Sequence, residues 1–242
     1  MPKDINDYRD KHGLIGHMYK EDHSKFDFGD SCADTSRLYF MTFMLARMGL
    51  ITSEDYKSHR SMFLEASSRL EISPGTFVRH PDQYNDPKDY SRDQQTALQL
   101  AFALCDATEP ISRMLKRQIQ GFPFFQNADV ITYEWIYYIR GLRKWLFYPV
   151  LLVLDLGLFV NVLIRFAKAK FKPDDVADDL NLACSLIYCS IEYPTPISLL
   201  SRWLYKFKPL GAFYPWSHYY RHPENPPIDD VAYQVIRSYL WR

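Results

Sequence analysis

The chain has no excess of charge of either sign: 29 Lys and Arg stand against 29 Asp and Glu. Without a net field, the long-range attraction of a nucleic-acid binder is missing, and no DNA or RNA partner is expected. The motifs of several common chemistries are absent as well. There is no G-x-G-x-x-G, no Walker A pattern, no H-E-x-x-H and no G-x-S-x-G, so nucleotide, zincin and α/β-hydrolase sites lack their residues. Cysteine is scarce, and Cys32, Cys105, Cys184 and Cys189 form no C-x-x-C pair. They read as buried thiols in a reducing compartment. The opening MPKDINDYRDKHG is polar and lacks the apolar region of a signal peptide, which points to the cytoplasm. His12, His17 and His23 do not share the i,i+4 spacing that puts two ligands on one helical face, so no metal or cofactor is expected. Strand signals are nearly absent.

What is present is helical patterning and an abundance of aromatic residues, 16% of the chain, which suits an aromatic-lined cleft or a Tyr-rich core. Residues 1–29 have no apolar periodicity and read as an N-terminal arm, mobile or draped. Residues 30–242 read as a single all-helical domain of about nine helices in successive αα-hairpins. The first starts at Asp30 or Ser31 and ends at the C′ glycine Gly49. A second follows from Thr52-Ser53-Glu54-Asp55 to about residue 70. The spans 91–106 and 108–120 repeat the hairpin, and further helices are expected over 132–144, 145–164, 174–193 and 197–207, with a last one from about 227.

The stretch 145–164 is almost wholly apolar and long enough to just reach across a bilayer core, with Arg140, Arg143, Lys144, Arg165, Lys168 and Lys170 on its flanks. Pro149, Asp155, Gly157 and Asn161 interrupt it. A helix buried on all sides inside a large domain has the same composition, and that reading is preferred. Asp155 must then be buried with a partner.

Chemistry concentrates around residues 72–103, a long polar loop that runs straight into a helix. Ser91 fits the N-cap of that helix and Gln94 its capping box, which places Asp93 in the first turn, where the helix dipole favours an anion. Asp30 and Asp34 similarly stand at the start of the first helix with Arg37 nearby. Either a carboxylate pair for acid/base work or a cap with a salt bridge fits them. Arg79-His80-Pro81-Asp82 is echoed by Arg221-His222-Pro223-Glu224, and in each the proline holds a histidine extended beside a helix start.

Helical hairpins, abundant aromatics and carboxylates at helix starts joined by long loops together resemble the (α/α) toroid glycoside hydrolases and polysaccharide lyases. The resemblance is one of architecture over about residues 30–242, in a chain shorter than a full twelve-helix ring needs. It implies a carbohydrate-active enzyme with an oligosaccharide substrate. Asp93 and either Asp30 or Asp34 would be the catalytic carboxylates, and Arg79, His80, Arg92, Gln94 and His222 would place the substrate. The alternative is a non-catalytic helical protein that binds a membrane or a partner through residues 145–164.

Overall fold

The computed structural model describes residues 5–18, 26–120, 148–168, 186–187, 190–191 and 194–205. They are mostly helical, with only four short strands. Six α-helices are described rather than nine: α1 (Ser31–Arg47), α2 (Ser53–Ser68), α3 (Arg92–Leu104), α4 (Thr108–Gln120), α5 (Tyr148–Lys168) and α6 (Pro196–Tyr205). The other three expected helices fall on 132–144, 174–193 and the segment from 227, wholly or largely outside the described residues.

Local sequence accounts for the ends of these helices. At the end of α1, Gly49 has φ +71, its N–H donates to Ala46 O at 3.0 Å, and that of Leu50 donates to Leu45 O at 2.9 Å. This is the paired closure that a left-handed C′ residue makes possible. Thr52 and Asp55 then cap α2 reciprocally, each side chain accepting from the other's backbone N–H. The α3–α4 turn uses the same C′ device without glycine. Asp106 takes φ +58, and Ala107 N–H reaches back to Phe102 O at 2.9 Å.

α1 packs against both α2 and α3, α4 against α3, and α5 against α6. α1 is largely buried, and Tyr39, Phe40, Met41 and Met44 enter a core shared with Phe63, Leu98, Ala101, Phe102 and Met114. Cys32 and Cys105 are buried free thiols, and burial pushes the Cys105 thiol up to about 11.

The loop after α2 holds more regular structure than its composition suggests. Strands β3 (Glu71–Ser73) and β4 (Thr76–Phe77) pair antiparallel, following a two-residue pair, β1 (His17–Met18) with β2 (Phe26–Asp27), in the arm. Gly75 turns the β3–β4 hairpin at φ +76, so close to α4 that an added Cβ would lie 2.3 Å from Arg113 O. Glu71 completes the attachment by accepting from Arg113 Nε and Nη2 at 2.7 and 2.6 Å, which holds its carboxyl below the usual range. A His80–Tyr84 bridge and a 3₁₀ turn at Pro87–Asp89 order the remainder.

The described part of the arm is draped. Leu14 and Ile15 are fully buried, and the Ile15 N–H donates to Thr35 Oγ1 on α1 at 3.1 Å.

α5 departs from the expectation of a helix buried on all sides. On α5 the residues Asp155, Leu158 and Val162 are buried, while Val153, Leu156, Val160, Leu163 and Ile164 are exposed. Asp155 has the buried partner that its position demands, accepting a hydrogen bond from Thr195 Oγ1 just before α6. No helix among the described residues is long and apolar enough to cross a membrane.

Candidate functional site

The starts of α1 and α3 meet, and both carry polar side chains that are buried. Ser31, Asp34, Thr35, Ser36 and Arg37 lie on α1, and Gln94, Gln95, Thr96 and Gln99 on α3. A buried polar seam costs stability unless its groups are bonded to one another, so its members are positioned by their partners.

Gln94 organises this seam. It does not close a capping box on its own helix; its Oε1 accepts from the N–H of Ala33 at 2.8 Å. Ala33 is the third residue after the cap Asp30, so Gln94 supplies across the interface the bond that Asp30 would make within α1. Its Nε2 donates to Asp30 Oδ1 at 2.8 Å. The amide orientation follows from these two partners, since a backbone N–H requires the oxygen. Relieved of capping, the Asp30 carboxylate points outward with 63% of its side chain exposed. Arg79 stands 4.0 Å away, fixed by donating to Gly29 O at 3.2 Å and to Asp89 O.

Asp34 points the other way. It is 3% exposed and paired with Arg37 at 3.3 Å. Arg92 and Asp93 occupy the first turn of α3 beside Gln94, but their side chains, and His222 altogether, lie outside the described residues.

His80 is buried, with both ring nitrogens engaged. Nδ1 accepts from the N–H groups of Asp82 and Gln83 at 3.2 and 3.1 Å, so Nε2 carries the proton and donates to Asp10 Oδ2 at 3.0 Å. Phe28 stacks on the ring with centroids 4.6 Å apart. In this arrangement His80 holds the loop to the arm. Beside it His12 and Lys11 contact Asp82 at 2.9 and 3.0 Å and hold its carboxyl at about 2.

Asp10, Asp27 and Tyr84 gave no signal in the sequence. Asp27 accepts from Tyr84 Oη at 2.7 Å and from Gly29 N at 2.9 Å, which sets the turn that delivers Asp30. Their partners are up to seventy residues away, beyond the reach of local pattern. Among the described residues no group of three or more His, Cys, Asp or Glu could hold a metal ion.

Comparison with known protein families, curated proteins and solved structures finds no significant match to this chain.

Proposed function

We propose that the chain is a carbohydrate-active enzyme of glycoside hydrolase or polysaccharide lyase type, with Asp30 and Asp93 as its carboxylate pair. The observation that carries this reading is the Asp30 carboxylate, which is exposed and oriented by Gln94, the residue after Asp93. Helix starts favour ionised carboxylates, and two of them across a glycosidic bond suffice for hydrolysis, their separation deciding between inversion and retention. Arg79, Arg92 and Gln94 bind the sugar hydroxyls or a uronate carboxylate, and His222 completes the substrate site. Asp34 with Arg37 and His80 with Asp10 support it from beneath. The helix pairs form part of an (α/α) toroid, and the enzyme acts in the cytoplasm without a cofactor.

The test is release of reducing ends or unsaturated products from a panel of neutral and uronate-containing oligosaccharides. Asp30→Asn and Asp93→Asn should each lower the rate about 100-fold or more, with the melting temperature shifted by only a few degrees. Retention of full activity by either variant, or inactivity of the parent across the panel, overturns the assignment.

A further inference from the structure

The α5–α6 pair turns a broad apolar face outward and buries Asp155 and the hydroxyls of α6. On α5 the exposed Val153, Leu156, Val160, Leu163 and Ile164 follow the helical repeat as one aliphatic stripe, roughly 16 Å long at 1.5 Å per residue. The opposite stripe, Asp155, Leu158 and Val162, is buried and contains the charge. α6 repeats the arrangement: Ser198, Ser201 and Tyr205 are buried, whereas Leu199, Leu200 and Trp203 are exposed. Hydroxyls also make the local bonds. Thr195 donates to Asp155, Ser198 N–H donates to Thr195 Oγ1 at 3.0 Å, and Arg202 donates to Ser190 Oγ at 3.2 Å. A helix pair surrounded by water buries its leucines and shows its serines. Helices surrounded by hydrocarbon associate through small and hydroxyl residues and turn leucine outward.

We propose that the outer faces of α5 and α6 form a lipid-docking surface that seats in the interfacial layer of an anionic membrane without crossing it. The choice of lipid over a protein partner rests on charge as well as polarity. Arg140, Arg143 and Lys144 precede the apolar stretch, and Arg165, Lys168, Lys170 and Lys172 follow it, with no acidic residue among residues 140–154 or 156–173. In a chain with no net charge, this concentration of cations around one apolar segment matches anionic headgroups around an acyl boundary. The helices lie flat or oblique, since none of those described is long and apolar enough to span. This proposal does not rest on the carbohydrate reading.

The test is flotation of the full chain with phosphatidylcholine vesicles and with vesicles of phosphatidylcholine mixed with phosphatidylglycerol. The chain should float with the mixed vesicles and about tenfold less with the neutral ones. Combining Val160→Asp with Leu163→Asp should abolish flotation while leaving the circular dichroism and melting temperature unchanged, since both positions are exposed. Three results overturn the proposal. They are absence of the parent from the mixed vesicles; flotation of the double variant equal to the parent's, leaving only the basic flanks; and a dimer by light scattering that the double variant dissociates, making the face a contact between two copies.

Discussion

His80 shows how one side chain can fasten distant parts of a fold. Its ring bridges Asp10 and the backbone of residues 82 and 83, and replacing it leaves a carboxylate and two N–H groups short of partners. His80→Ala should therefore cost about 1–3 kcal/mol in urea unfolding, the usual penalty for stranding buried polar groups. A change within 0.5 kcal/mol or so would mean that water takes over these bonds. Asp155 makes the complementary case, because burial raises its carboxyl above the ordinary value and the bond from Thr195 only partly opposes this. A raised native pKa means that the folded chain keeps a proton the unfolded chain has lost. The contribution to stability is therefore complete below the ordinary carboxylate pKa and is lost as pH rises through the native value. Asp155→Asn, which retains an acceptor for Thr195, should melt higher than the parent at neutral pH, with the gap closing towards about pH 4. A gap of constant size across that range would show that Asp155 is not the titrating group.

At the level of elements, helix ends were legible because their signals are local. Gly49 and the Thr52–Asp55 box each lie within a few residues of the boundary they set, and Ser91 stands at the N-cap position of α3 without a side-chain capping bond. Asp106 had no comparable signal, since an aspartate in the left-handed region is marked by its backbone angle alone. Asp106→Gly should remove that strain and raise stability by up to about 1 kcal/mol, read as a higher urea midpoint at unchanged slope. A lower midpoint would mean that the Asp106 side chain contributes more than its backbone costs. Gln94 was located correctly at the start of α3, yet its bonds cross to α1. Capping chemistry has the same sequence signature whichever helix receives the bond. The face of α5 turned inward was illegible for a related reason: a stretch apolar all round has no periodicity to read, and the partner of Asp155 is forty residues away.

Across the whole molecule, helical character and the α1–α4 hairpins followed from composition and period, whereas the placing of the arm did not. Leu14 and Ile15 are two apolar residues in a polar stretch, too few to make a pattern, and yet both are fully buried. The candidate site inherits that uncertainty of range. Asp30 could be singled out as an acid at a helix start, but its outward orientation depends on Gln94 and its approach on Asp27 and Tyr84.

The threading of the arm also sets an order of events during synthesis. Asp10 and Ile15 leave the ribosome well before their partners, with His80 seventy residues behind Asp10 and Thr35 twenty behind Ile15. At usual elongation rates, Asp10 waits roughly 4–14 s for His80. During that interval Leu14 and Ile15 stand on a nascent chain without the core that they later enter.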